Sequence, residues 1–565
     1  MPRLDWRFAV GNSIILVLGS LMGAVLTNWD TYLNPLSKNI AIHNRGGLDW
    51  KRASFKESSG GMFGELPFAL DRSGYKLKLL DEDDISADML LDQQVLLLIN
   101  SSKTWKQEEM AAIHGFVDRG GTLLVLGDHT NVFGLQDSFN QLLDPYGIEF
   151  QFDSAYYLRK GWRGCITTGS GIMEGPWEEH LPGIAIGASL KLSKGARSLV
   201  TGRYAFSDRG YEENVVGSFL GNYAYDPGER AGELCLVATT TSGRGRVVVF
   251  GDTSTFQGGV NVQLEKVILP LMETICRPPG FFERSAGKTM AAVLAIVAVI
   301  LLVVYPQLSG LSFIAPMFIT MVAAQFLMPS HSLKDHVSDD SVLIAKCNVL
   351  EIGHSDISLN AIWPLYSLIS KSGLRYYDLE RWDHEIVKQA RAIAFVAPTK
   401  RIEGSQLEEL LDYEEAGGIV LVSAGYDHYP GVKSLLDRHR LALKNEPIGT
   451  ATYLPGDTPE NRRYPRLYDA WPITSSNETK IEERDDVEIL LGYGGEACIV
   501  FCPRGQGGLL LISDSRFFST RNIENFPYFE WEGNVQFVRQ LFIEKLKTQP
   551  DMIKDYFPSP PQAHE

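Results

Sequence analysis

Two stretches of this chain carry the same signals in the same order, and that repetition constrains the fold more than any other feature. The first opens with the apolar Phe63-Gly-Glu-Leu-Pro-Phe-Ala-Leu70 and closes at Ser73-Gly74; the second opens at 362–369 and closes at Ser372-Gly373, 299 positions later. Each continues with an apolar run of the kind buried on both faces of a sheet, Val95-Leu-Leu-Leu-Ile99 and Ala392-Ile-Ala-Phe-Val396. An amphipathic helix follows, over 107–118 and 405–415, and stops at Gly120-Gly121 and Gly417-Gly418, which are 297 apart. Glycine ends a helix because it takes the left-handed cap conformation without a Cβ penalty. A second buried strand comes next, Thr122-Leu-Leu-Val-Leu126 and Ile419-Val-Leu-Val422. Strand, helix and strand joined by short loops predict a parallel sheet.

The far ends match too. Gly232-Glu-Leu-Cys235 pairs with Gly495-Glu-Ala-Cys498 at an offset of 263. Gly243-Arg-Gly-Arg246, Val247-Val-Val-Phe250 and Asp252 pair with Gly505-Gln-Gly-Gly508, Leu509-Leu-Leu-Ile512 and Asp514 at an offset of 262. A closing helix follows each, over 262–276 and 532–546. The fall in offset places about 34 extra residues in the first copy, in a Gly- and aromatic-rich, β-like insert at about 152–230. The expected organisation is one domain at 62–277, a second at 345–546, a linker at 30–61 and a disordered tail at 547–565.

Between the copies, residues 289–333 contain no Asp, Glu, Lys or Arg. As helix that stretch would run about 68 Å, roughly twice a bilayer core. Pro306-Gln-Leu-Ser-Gly310 breaks it, so transmembrane helices are expected at 289–305 and 311–328. A third is expected at 8–29, an uncharged run behind Arg3 and Arg7 that reads as an anchor rather than a cleaved signal peptide, lacking an Ala-x-Ala site. The predicted location is the cell membrane, multi-pass, with both domains on one face, the extracytoplasmic one being favoured by Arg3 and Arg7 although Arg277, Arg284, Lys288 and Lys334 count against it. A net charge of −16 excludes nucleic-acid binding as the main role, since phosphate contacts need basic patches. The six cysteines form no Cys-x-x-Cys pair, and Cys235 and Cys498 read as small core hydrophobes. The sequons at Asn100 and Asn477 decide nothing about the compartment.

The Gly-Gly-x-Leu/Val-Leu-Val strand behind an amphipathic helix, with the later Gly-Arg-Gly-Arg-Val-Val-Val-Phe-Gly-Asp-Thr strand, resembles the membrane-bound members of the class I glutamine amidotransferase-like superfamily. The nearest likeness is to DUF4350-type proteins and the auxiliary subunits of gliding-motility-type ABC transporters. The resemblance implies an α/β fold class, with a flavodoxin-like three-layer domain in each copy beside the three transmembrane helices, and a place as accessory subunit to a transporter or envelope-assembly complex. Catalytic members carry a cysteine at the sharp turn after the second strand. The equivalent turns here, Gly127-Asp128-His129-Thr130-Asn131 and Ala424-Gly425-Tyr426-Asp427-His428, have none, so thiolate chemistry cannot run at these positions.

The residues left at those strand ends are Asp128, His129, Asp427 and His428, with Asp252 and Asp514 beyond a second strand. Ligands in open α/β sheets collect at this edge. The same aspartates could equally cap the helices that follow. Asp-His shifts by two positions between the copies, against a common metal geometry, whereas Asp252 and Asp514 are positionally equivalent. The leading expectation is a non-enzymatic membrane scaffold with no cofactor and no metal, partnered by a membrane protein or a glycan. Two rivals remain open: a membrane-tethered hydrolase or metal-dependent enzyme built on Asp128, His129 and Asp252, and a small-ligand sensor. The separation of His129 from Asp252 discriminates, because the enzyme needs them on one ligand.

Overall fold

The computed structural model describes residues 6–27, 29–43, 63–80, 84–157, 165–166, 184–185, 187–210, 221–258, 264–281, 283–304, 311–327, 337–349, 361–448, 465–476, 480–525 and 529–548. The turn at 305–310, the sequon at 477–479, much of the insert and the tail beyond 548 lie outside them. The chain forms two compact units, one of 1–51, 70–255 and 265–333, the other of 52–69, 256–264 and 334–565.

The sheet of the first unit is built from β1 (Asn39–His43), β2 (Lys76–Leu79), β3 (Val95–Ile99), β4 (Thr122–Leu126), β5 (Asp153–Tyr157), β6 (Arg197–Arg209), β7 (Ala231–Ser242) and β8 (Gly245–Phe250). Their order is β2-β1-β3-β4-β8-β7-β6-β5. The first five in that order are parallel, an arrangement shared with flavodoxin-like sheets. Strands β5 to β7 extend it antiparallel. Every residue of β3, β4 and β8 is buried, as uninterrupted apolar runs require when both faces are covered. On one face Leu96, Leu98, Leu123, Val125, Val247 and Val249 pack with Ile113, Phe116 and Val117 of the helix Gln107–Arg119. β1 falls inside the stretch read from sequence as a linker.

The second unit repeats the plan with β9 (Ser341–Ile344), β10 (Arg375–Asp378), β11 (Ala392–Val396), β12 (Ile419–Ser423), β13 (Leu441–Leu443), β14 (Ile473–Ser475), β15 (Glu488–Tyr493), β16 (Glu496–Arg504) and β17 (Gly507–Ile512). The order is β10-β9-β11-β12-β17-β16-β14-β13, with β15 on β16. Alternate residues divide between two cores. Val342, Ala392, Leu421 and Leu510 meet the helices Trp363–Lys371 and Glu532–Leu546, while Leu343, Ile393, Val420 and Leu509 meet Ser405–Glu415 and Tyr429–Arg438. This domain is therefore a three-layer sandwich of helix, sheet and helix.

The membrane expectation is corrected. No helix among the described residues is long and apolar enough to cross a membrane. Leu311–Leu327 has 17 residues and an internal Pro316, about 26 Å against a hydrocarbon core of roughly 30 Å. Ser285–Val304 spends its first turn on Ser285, Gly287 and Lys288, and Trp6–Thr27 carries Arg7, Asn12, Ser13 and Ser20. Instead Ile15 and Leu18 of the first helix form a small apolar cluster with Ala298, Leu294, Leu301 and Phe313. The three transmembrane helices, the multi-pass cell-membrane localisation and the extracytoplasmic placement of the domains that depended on them are withdrawn together.

Candidate functional site

The site of the first domain follows from strand register. β4 and β8 are parallel neighbours with Leu126 opposite Phe250. Two residues on from each, Asp128 and Asp252 therefore emerge side by side at the carboxyl edge of the sheet, where such folds place ligands. The segment before β6 crosses behind them, with the Ala188 N–H donating to the Gly251 carbonyl at 3.0 Å.

Each carboxylate is fixed by a local turn. Asp128 Oδ1 accepts from the Thr130 N–H at 2.9 Å and its Oγ1 at 3.0 Å. Asp252 Oδ1 accepts from the Ser254 N–H at 2.7 Å. His129 stands between them, its Nδ1 3.0 Å from Asp128 Oδ1. That contact is close but poorly aligned, so neither ring nitrogen has a hydrogen-bond partner among the described residues. One donor atom from each of Asp128, His129 and Asp252 lies within 4.8 Å of the others. The side chains of His129 and Asp128 are 11% and 20% exposed and Asp252 is 6% exposed, so the three meet at the sheet edge largely shielded from solvent.

Burial sets the electrostatics. It works to raise the Asp128 pKa, but the charge of His129 and the Thr130 donors outweigh it and hold this carboxyl below its ordinary value. Burial likewise opposes charge on His129, yet Asp128, then Asp252 and Asp153, raise its pKa. Asp252 gains no such relief: burial and the neighbouring Asp128 push it up to about 7. Two carboxylates and an imidazole make a donor set suited to Zn²⁺ or Mn²⁺, and a cation there would relieve the crowding of negative charge that Asp252 experiences.

Beside this crevice lies a group that the sequence did not single out. Ser189 donates through N–H and Oγ to the buried Asp153, at 2.8 and 2.5 Å. The half-exposed guanidinium of Arg230 bonds both Asp153, at 3.1 Å, and Ser189 Oγ. These residues come from the extra stretch of the first copy, which has no counterpart to draw attention to them.

In the second domain the equivalent strands keep the register, Ser423 opposite Ile512, but the chemistry diverges. Gly425 and Tyr426 stand where Asp128 and His129 stand in the first copy. Asp514 is retained and fully buried, and its carboxylate is spent on backbone donors: Tyr468 at 2.6 Å, Asp469 at 3.1 Å and Arg516 at 2.8 Å. Burial pushes it up to about 6. Asp427 is exposed, and His428 turns to Ser515 instead of Asp514. Among the described residues the only group of three such donors is the one in the first domain. The matched thiols are inert, burial pushing both Cys235 and Cys498 up to about 12.

No family model matches the chain, and no curated protein matches it. Solved structures resemble parts of it. The mmIFT52 N-terminal domain aligns at 17% identity over 41% of this chain and 93% of that one, with a TM-score of 0.29. The cytoplasmic protein STM1381 from Salmonella typhimurium LT2 aligns at 14% over 42% and 99%, TM-score 0.27. A ThuA-like protein from Bacteroides uniformis aligns at 12% over 42% and 90%, TM-score 0.27. Likeness at this level carries no argument about activity.

Proposed function

We propose that the first domain binds one divalent cation through Asp128, His129 and Asp252 and is a metal-dependent hydrolase. The observation that supports this most is the meeting, within 4.8 Å, of donor atoms from the ends of two separate strands. A cation held there supplies a polarised water or substrate oxygen. The protein's own contribution is a largely shielded crevice at the sheet edge, carboxylates pinned by turn N–H groups, and a guanidinium at Arg230 beside the crevice that suits an anionic substrate or product. The scaffold alternative rests on the missing cysteine and has no geometric feature in its favour. The test is hydrolysis of a panel of phosphate esters by the full chain, with Mn²⁺, Zn²⁺ or EDTA. Activity that requires metal and disappears in His129→Ala supports the reading; activity indifferent to both contradicts it.

A further inference from the structure

The second domain has lost the acidic pair of the first, but its strand ends hold another arrangement. Ser515 follows Asp514 beyond β17, and His428 closes the single turn of 3₁₀ helix Tyr426–His428 after β12. The His428 Nδ1 lies 2.7 Å from Ser515 Oγ. The same oxygen accepts from the Gly425 N–H at 2.6 Å. The Gly425 N–H occupies one lone pair of the hydroxyl, and in the His428 tautomer with Nδ1 unprotonated the serine donates its proton to the imidazole. A hydroxyl within hydrogen-bond reach of a histidine acceptor is the minimal form of an activated nucleophile.

A third group completes the geometry. Trp471 is held by its backbone N–H on the Ser513 carbonyl at 3.1 Å, and its indole Nε1–H is buried without an acceptor among the described residues. A Cβ placed on Gly425 would stand 2.8 Å from that nitrogen and 3.3 Å from Ser515 Oγ, so the orphan donor and the hydroxyl both lie close against the Gly425 backbone, which tolerates no side chain there. The Trp471 ring also lies 5.5 Å from Tyr426, which stacks on Tyr429 at 5.7 Å, so the three rings form one aromatic group. An unpaired N–H beside a nucleophile is what a developing oxyanion needs.

We propose that the second domain carries a serine acyl-transfer site, with Ser515 as nucleophile, His428 as base and the Trp471 indole N–H as oxyanion donor, acting on small neutral esters. Ser515 Oγ bonds the acyl carbon as its proton passes to His428 Nδ1. The tetrahedral oxyanion accepts from Trp471, and the carbon–oxygen bond to the leaving alcohol breaks as that alcohol takes the proton. Water then releases the acyl group by the same steps in reverse order. The arrangement is not inherited from the duplication, since the matching positions in the first copy are Thr253 and Asn131. It uses no metal and is independent of the Asp128 centre.

The test is labelling of the full chain by a fluorophosphonate probe in EDTA, mapped by peptide mass spectrometry. Ser515 Oγ would form a bond to phosphorus, fluoride would leave, and His428 would hold the proton. Expected results are a single adduct on Ser515, none in Ser515→Ala, and labelling slowed about tenfold or more in His428→Asn and Trp471→Phe. Mapping in the unsubstituted chain decides the matter even if Ser515→Ala fails to fold. No adduct on Ser515, or labelling undiminished in His428→Asn with an unchanged melting temperature, would overturn the proposal.

Discussion

Substitution of Glu283 by Gln should strongly destabilise the first domain. Arg246, the last residue of the Gly243-Arg-Gly-Arg246 turn, donates Nε at 3.0 Å and Nη2 at 2.6 Å to the two oxygens of Glu283. Its Nη1 donates to the Thr274 carbonyl at 2.9 Å, and Thr31 Oγ1 donates to Glu283 at 3.0 Å. The two side chains are only 4% and 7% exposed. Removing one partner of a buried pair leaves an uncompensated charge, a cost of about 3–5 kcal/mol. For a domain of this size each kcal/mol moves the melting temperature by about 2–4 °C, so a drop on the order of 10 °C is expected. Burial alone would raise the Glu283 pKa, but Arg246 outweighs it and holds the carboxyl below its ordinary value of 4.5. The stabilisation is thus complete above that value and lost as pH falls through the lower folded one, and Glu283→Gln should flatten the acid limb of the stability curve. The assay is thermal and urea denaturation at neutral pH and below pH 5, with Arg246→Met/Glu283→Leu as control, which should cost less than the two single changes summed. A Glu283→Gln loss under about 1 kcal/mol would refute the argument.

Three further outcomes follow from the same structure. Asp514 titrates at about 6 in the fold against 3.8 ordinarily, so its contribution is fully present below about 3.8 and lost as pH rises through 6, a change of about 3 kcal/mol; Asp514→Asn should abolish that slope between pH 4 and 6 in urea melts, whatever its effect on absolute stability. A Cβ at Gly251 would lie 2.1 Å from the Ala188 carbonyl oxygen, so Gly251→Ala should cost about 2 kcal/mol or more and weaken cation binding at the neighbouring Asp252, read by calorimetry. Saturating Mn²⁺ or Zn²⁺ at about 100 times its dissociation constant should stabilise the chain by about 2.7 kcal/mol, measured as a melting shift that His129→Ala removes.

The duplication was legible because its markers are local. In both copies the first glycine of the Gly-Gly stop is left-handed, Gly120 at φ 119° and Gly417 at φ 117°. The second lies against the ring of Phe116 or Tyr413, one turn back in the preceding helix. Such features are encoded within a few residues and survive reading from sequence alone. β1 was missed because Asn39-Ile-Ala-Ile-His43 is short and gains its strand identity only between β2 and β3. The uncharged stretches misled because hydropathy registers composition, whereas the helices that form are short with an internal Pro316, or carry Arg7 and Lys288. The sites lay further out of reach. Asp128, His129 and Asp252 belong to one open reading of the sequence with their separation unknown, and it is the register of β4 against β8 that brings them together. Ser515 carries no local signal, because its partner His428 lies 87 positions earlier in the chain. The two-residue shift of Asp-His between copies changes its surroundings: in the first domain both residues join a carboxylate cluster, and in the second only His428 turns inward, to Ser515, while Asp427 is exposed.

The claim on which the account rests is that Asp128, His129 and Asp252 together hold a cation. Isothermal titration of the metal-stripped full chain with Zn²⁺ and with Mn²⁺ measures it directly. The account predicts one site per chain for at least one of these ions, abolished in Asp252→Asn and in His129→Ala and retained in Asp427→Asn. Absence of saturable binding for both ions, or binding that survives Asp252→Asn and His129→Ala together, would contradict it.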